Sequence, residues 1–257
     1  VVTVSALFAS IRNVRWWTIA SVAAVSIFFF GYGKQQQKNT GPRIDVAVIQ
    51  TNVSTNNKVA RSWDELIRDV SDAVDLTIEA SLHAKIKPSL LIWPETMLPG
   101  RGFEIDRLDF APWDERFTSY WYWSEQLRLV VQRLDTPMLV GTNTWLEVEV
   151  IEDGEYLRAI PSGQFNSAVL VHPNGDTSRY DKTFLTPFGE RLPYIDIFSS
   201  VKEWVRERVG TEMLFDLDVG GSPTRFSLPC SSAYQKETDI SFATPICYEG
   251  TVPSVAR

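Results

Sequence analysis

Residues 16–33, WWTIASVAAVSIFFFGYG, form a run of eighteen with no charge. A stretch of that length and polarity must be shielded from water, by protein or by lipid. A helix that crosses a bilayer needs about 20 apolar residues, with a range of roughly 17–25. Trp16, Trp17 and Tyr32 stand at the two ends of the run, where aromatic belts occur. A secretory signal is one rival reading. Its apolar core is only about 7–15 residues, and it ends at a small-residue cleavage site, which FFGYGKQQQ does not offer. A buried core helix is the other rival. The spanning helix fits the length and the flanks best. Two basic residues precede the run and three follow it, too even a balance to orient it. The chain opens on Val1, and residues 1–11 are themselves apolar, like the end of an earlier hydrophobic segment. It stops ten residues after a cysteine. These ends lead us to expect a piece of a longer protein, clipped on both sides.

Charge divides the chain in the same place. Residues 1–43 hold Arg12, Arg15, Lys34, Lys38 and Arg43 and no acid. Of the net charge of −7, the remaining residues therefore carry −12. A folded part that acidic is a poor nucleic-acid binder, which needs clustered Lys and Arg. Nine Trp, eight Tyr and fourteen Phe are too many for a solvated, disordered chain. Cys230 and Cys247 are too few for a disulfide framework. With two His, His83 and His172, no cluster has metal-ligand spacing, so no metal is expected. We divide the chain into a membrane segment (1–33), a polar linker with a Gly-Pro break (34–43) and a globular domain (44–257).

Within that domain, IDVAVIQTN (44–52) reads as a buried strand by its β-branched run. Residues 62–82 read as a helix: Ser62 can cap it, and Trp63, Leu66, Ile67, Val70, Val74, Ile78 and Leu82 share a face. SLLIWPE (89–95) is a second apolar strand, stopped by Pro94. Residues 115–134 give another helix, with Phe117, Tyr120, Trp121, Leu127, Val130 and Leu134 in phase. Residues 137–150 read as strand, and 165–185 as a hairpin about Asn174-Gly175. A short helix near 199–209 and strands near 224–228 and 240–246 complete the pattern. Strands alternating with helices, plus one hairpin, predict an α/β fold with a mixed sheet.

Three strand ends each deliver one ionisable residue: Glu95 after LLIWP, Lys182 after SRYD and Cys247 after ATPI. Sites in α/β sheets form at such ends, where side chains converge. A thiol needs a base to become a nucleophile, and a carboxylate can serve. The oxyanion of an acyl-transfer intermediate needs a positive donor, and lysine can supply it. The bland alternatives remain open on spacing alone. Cys247 can be an inert core thiol, Glu95 a turn carboxylate and Lys182 a solvated hairpin end.

The blocks LLIWPETMLPG, FNSAVLVHPNGDTSRYDKTFLTPFGERLPY and TPICYEG resemble the nitrilase, or carbon–nitrogen hydrolase, superfamily. Within it, YDKTFLTPFGERLPY followed by ICYE, downstream of a spanning helix, is similar to the apolipoprotein N-acyltransferases. The resemblance covers residues 44–257. It implies a nitrilase-like α-β-β-α sandwich, here without its C-terminal part, preceded by a transmembrane helix. It implies Cys247 as nucleophile, Glu95 as general base and Lys182 as oxyanion stabiliser. It implies supporting roles for Glu190, Tyr248 and Glu249, and it matches Trp63 to a substrate-binding tryptophan. One departure is Arg191, where the family has an aromatic. The implied reaction moves a fatty acyl chain from a phospholipid, through a cysteine thioester, to the N-terminal amine of a diacylglyceryl-modified apolipoprotein. The implied setting is a bacterial inner membrane, multi-pass in the full-length protein, with the catalytic domain on the periplasmic or outer side. No cofactor is implied. Tyr194, Ile195, Ile197, Phe198 and Trp204, after the PFGE block, would supply a membrane-facing lid or ordinary helix packing. The rival is a membrane-tethered amidase of the same superfamily, which gives the acyl group to water.

Overall fold

The structure is a computed structural model that describes residues 14–35, 44–52, 63–100, 102–103, 118–153, 156–187, 189–190, 217–230, 238–253 and 255. The chain divides into two compact units, Val1–Pro42 and Arg43–Arg257.

The first unit holds one helix, α1 (Val14–Gln35). Its segment Trp17–Lys34 is long and apolar enough to cross a membrane. Ile27, Phe28, Phe29 and Phe30 are exposed on successive sides of the helix. A helix that is apolar all round offers no single face to a protein core, and lipid solvates every side equally well.

The second unit is built on a five-stranded mixed sheet. In chain order its elements are β1 (Val46–Val48), α2 (Trp63–His83), β2 (Leu90–Ile92), α3 (Thr118–Leu134), β3 (Met138–Asp153), β4 (Tyr156–Val171) and β5 (Thr177–Asp181). The spatial order is β1-β2-β3-β4-β5. β1, β2 and β3 run parallel, whereas β4 and β5 follow as antiparallel hairpin strands. Two reversals leave β5 pointing the same way as β2, so their C-terminal ends emerge on one edge of the sheet. A separate two-stranded antiparallel sheet joins β6 (Phe226–Cys230) to β7 (Thr238–Phe242).

Alternation along the strands makes two cores. On one face Leu91, Met138, Val140, Val169 and Val171 pack against Val70 and Ala73 of α2 and Leu127 and Val131 of α3. On the other, Leu90, Leu139, Ala168, Leu170 and Tyr180 pack against Phe226, Leu228 and Ile246. Helices, sheet and second sheet thus form three successive layers. Burying each large apolar side chain in them contributes about 1.5–3 kcal/mol.

Several expectations shift. The buried stripe of α2 is Val70, Ala73 and Thr77, while Leu82 and Ile67 are exposed. Small side chains let the helix lie close to the sheet, and Thr77 is satisfied there, donating to the Ala73 carbonyl at 2.6 Å and accepting from Trp93 Nε1 at 2.8 Å. In α3 the stripe is Ser124, Leu127 and Val131, with Val130 only half-buried. β1 is short and borders the sheet, with Val46 and Val48 exposed rather than buried. β3 and β4 are sixteen residues each, paired from Met138↔Val171 to Asp153↔Tyr156. The first half of β4 lies outside the expected hairpin of 165–185, and it carries Pro161 and Gly163, residues that weaken a strand pattern. The last strand ends at Phe242 rather than Ile246. Pro245 lacks the N–H a ladder needs, so residues 243–246 run to the cysteine outside any strand. The helix expected near 199–209, residues 194–198 and Trp204 of the lid, and Arg191 lie outside the described residues, as do the side chains of Trp63, Phe117, Tyr120, Trp121 and Cys230.

Candidate active site

Glu95 is held by a turn that presses on β3. Pro94 ends β2, and Thr96 takes a left-handed φ of 50°. The turn is pinned where Leu98 N–H donates to the Gly141 carbonyl at 3.1 Å. Gly141 is required by close approach: a Cβ there would lie 2.6 Å from the Pro94 carbonyl oxygen, Glu95 Cα and Thr96 N. The Glu95 side chain is 31% exposed.

Lys182 follows the C-terminal end of β5. Its backbone N–H donates to the Asn166 carbonyl at 2.8 Å, and its own carbonyl accepts from Gly220 N–H at 2.9 Å. Gly220 is packed against the Asp181 backbone too closely to admit any side chain. The lysine is 1% exposed. A buried cation needs nearby anions, and Nζ has two. Glu190 lies 2.8 Å from it through Oε2, and Glu95 Oε1 lies at 3.7 Å. The turn that carries Glu190 closes with Gly189 and Glu190 N–H groups donating to the Thr186 carbonyl.

Glu190 accepts from Lys182 Nζ, from Asn166 Nδ2 at 2.9 Å and from Thr186 N–H at 2.8 Å. Burial pushes its carboxyl upward, but these donors and the lysine charge outweigh burial and hold it below the usual carboxylate range. Asn166 Nδ2 also donates to Glu95 Oε1 at 2.8 Å. Glu95 and Glu190 thus meet around the Lys182 ammonium, joined by an asparagine the sequence reading did not single out. The available signal was a polar residue placed second in FNSAVLV, inside an apolar strand.

Cys247 is exposed and unbonded, so the inert core thiol is set aside. It opens a 3₁₀ turn, Cys247–Thr251, and takes φ = 51°. A non-glycine residue in that region costs on the order of 1–3 kcal/mol and needs support from its surroundings. Glu249 supplies it. This carboxylate is fully buried, and its Oε2 accepts from Ile246 N–H at 2.8 Å. Its Oε1 accepts from Thr183 N–H at 2.7 Å, Tyr180 Oη at 2.7 Å, Thr183 Oγ1 at 2.9 Å and Phe184 N–H at 3.0 Å. Burial alone would raise its carboxyl. The bonds from Ile246, Tyr180, Phe184 and Thr183 win and hold it low. Burial pushes Tyr180 up to about 12, so it remains a neutral donor. Tyr248, the next residue in the chain, is exposed. Among the described residues the Cys247 thiol makes no hydrogen bond to Glu95 or Lys182. No group of His, Cys, Asp and Glu among the described residues could hold a metal ion.

No protein-family model matches the chain. Curated relatives do. An apolipoprotein N-acyltransferase from Chlorobaculum tepidum is 28% identical over 233 residues, which is 84% of this chain and 37% of the relative. One from Geobacter metallireducens is 28% identical over 178 residues, 68% of this chain and 28% of the relative. Apolipoprotein N-acyltransferase 2 of Treponema pallidum is 27% identical over 229 residues, 82% and 36%. The chain spans about a third of the length of the curated relatives it matches. Among solved structures, an N-terminal amidase is 18% identical with a TM-score of 0.43, covering 82% of this chain and 41% of the other. A CN-hydrolase superfamily protein from Xanthomonas campestris is 13% identical with a TM-score of 0.39, covering 83% and 55%.

Proposed function

We propose that this chain, a homologue of the curated apolipoprotein N-acyltransferases, carries the acyl-transfer site of such an enzyme. The observation that supports this reading best is the buried Lys182 ammonium after β5, held between the Glu95 carboxylate after β2 and the Glu190 carboxylate of the turn that follows the lysine. Glu249 ties the segment after that lysine to the turn that begins at Cys247.

In this reading Glu95 takes the thiol proton of Cys247, and the sulfur attacks an ester carbonyl of a phospholipid. A carbon–sulfur bond forms, and negative charge develops on the carbonyl oxygen. Lys182 stabilises that charge, because a cation fixed in a poorly solvated site needs no reorganisation when the charge appears. The ester carbon–oxygen bond breaks, and Glu95 returns its proton to the departing alkoxide. The products are a lysophospholipid and an acyl thioester on Cys247. In the second half-reaction the neutral N-terminal amine of a diacylglyceryl-modified apolipoprotein attacks the thioester. Glu95 takes a proton from the nitrogen, the carbon–sulfur bond breaks, and the thiolate recovers that proton. Glu190 is already committed to Lys182, so it serves as the lysine's counter-ion and leaves Glu95 to move protons. Tyr248 lines the nucleophile's exposed side, and Trp63 contacts substrate. α1 anchors the site in a bacterial inner membrane as one span of a multi-pass protein, with the catalytic domain on the periplasmic or outer side.

The test is the acyl acceptor. The complete gene product, given phospholipid and a synthetic diacylglyceryl-cysteinyl peptide, is expected to yield the N-acylated peptide. Release of free fatty acid alone, with the peptide amine untouched, would contradict the transferase and favour the amidase.

A further inference from the structure

The roles above leave Asn166 without one, although its amide bonds both the Glu95 and the Glu190 carboxylates. It lies on β4 opposite Asn143 and is 2% exposed. Its carbonyl fixes the backbone N–H of Lys182. Its Nδ2 donates to Glu95 Oε1 at 2.8 Å and to Glu190 Oε1 at 2.9 Å, one hydrogen to each. That orientation of the amide is dictated by chemistry. An ionised carboxylate only accepts, so the reversed amide would aim oxygen lone pairs at two carboxylates. The cost is that Asn166 Oδ1 is buried with no hydrogen-bond partner among the described residues. A leucine would fill the same space without orphaning an acceptor. Packing alone therefore gives no reason for asparagine, whereas the carboxylate contacts do.

The two glutamates compete for one ammonium. Glu190 holds it at 2.8 Å, and Glu95 stands off at 3.7 Å. Without another donor, the Glu95 carboxylate would swing toward Nζ to satisfy itself. Asn166 satisfies Glu95 Oε1 where it stands. Among the described residues Glu95 Oε2 has no hydrogen-bond partner, so it is the oxygen left to take a proton. We propose that Asn166 is a positioning residue that sorts the two carboxylates, keeping Glu190 as the lysine's counter-ion and presenting Glu95 Oε2 as the basic atom. This role rests on the acyl-transfer reading given above.

The experiment measures acylation of Cys247 by phospholipid in the complete gene product. It uses wild type, Asn166→Leu and Asn166→Ser, with a melting temperature for each and rates scaled to folded protein. Asn166→Leu removes both donors and is expected to slow acylation at saturating phospholipid by about 10²-fold, the lower end of what a positioned base contributes. The half-saturating phospholipid concentration should stay within about twofold, and the rate loss should remain after scaling to folded protein even where the melting temperature falls. Asn166→Ser keeps one donor and should lose less. Acylation within about threefold of wild type in either folded variant would overturn the role. So would a loss confined to half-saturation, or one that disappears after scaling to folded protein. Should Asn166→Leu not fold, the Asn166→Ser result decides. A wild-type protein that never forms the acyl adduct contradicts the acyl-transfer reading itself, and the positioning role with it. Normal wild-type acylation with unimpaired variants contradicts the positioning role alone.

Discussion

Glu249, two residues past Cys247, accepts a 2.7 Å hydrogen bond from the backbone N–H of Thr183, one residue past Lys182. A buried carboxylate therefore fixes the distance between the cysteine turn and the lysine loop. Glu249→Gln removes the charge and puts an amide among five donors. Hydrogen bonds to a buried charged group are worth about 1.5–3 kcal/mol each. A loss of about 3 kcal/mol in stability is expected, read from a denaturant midpoint, together with loss of acylation. Wild-type stability would contradict the clamp.

Acid should act through the same group. The carboxyls of Glu249 and Glu190 lie below their ordinary range in the folded protein. A depressed folded value contributes stability that is present above the unfolded carboxylate range and is lost as pH falls through the folded value. Melting temperature should hold near neutrality and fall below about pH 4, where unfolded carboxylates begin to bind protons. In Glu249→Gln that acid dependence should flatten. An unchanged acid limb in the variant would contradict the assignment.

Gly141→Ala tests how tightly the Glu95 turn is seated. The new Cβ would sit 2.6 Å from the Pro94 carbonyl oxygen, so the turn must move. Displacing a catalytic group by about 1 Å can cost 10²-fold in rate. Acylation should fall by about that factor while half-saturation by phospholipid holds. An unaffected rate would show that the turn's position does not matter.

Most of the scaffold was legible because strand ends and turn residues announce themselves locally. Pro94 and the Asn174-Gly175 turn placed Glu95 and the β4–β5 hairpin correctly from neighbouring residues alone. The inward stripe of α2 was legible only in part: Val70 and Val74 do pack on the core, but Ala73 and Thr77 are buried because they are small against the sheet rather than because they are hydrophobic. Asn166 looked like an ordinary polar position in an alternating strand. Its contacts depend on a register with β5 and on Glu95, seventy-one residues away. Glu249 could be matched to a family position but not understood, since four of its donors come from residues 180–184 across the fold.

Phe28 lies near the middle of α1. Phe28→Arg would place a charge at the centre of a spanning helix, at about 2.5–3.5 kcal/mol on insertion scales. The wild-type chain is expected to resist carbonate extraction from membranes, and the variant to be extracted more readily. Equal extraction of both would contradict a spanning α1.

The central claim is that Cys247 carries the acyl group, and mass spectrometry of the complete gene product tests it most directly. After incubation with phospholipid and no acceptor, the peptide containing Cys247 should gain one fatty-acyl mass that hydroxylamine removes. Lys182→Met should slow its appearance by about 10²–10³, the loss seen for one oxyanion donor. Cys247→Ala should abolish it. An adduct that persists in Cys247→Ala, or that sits on Cys230, would contradict the account.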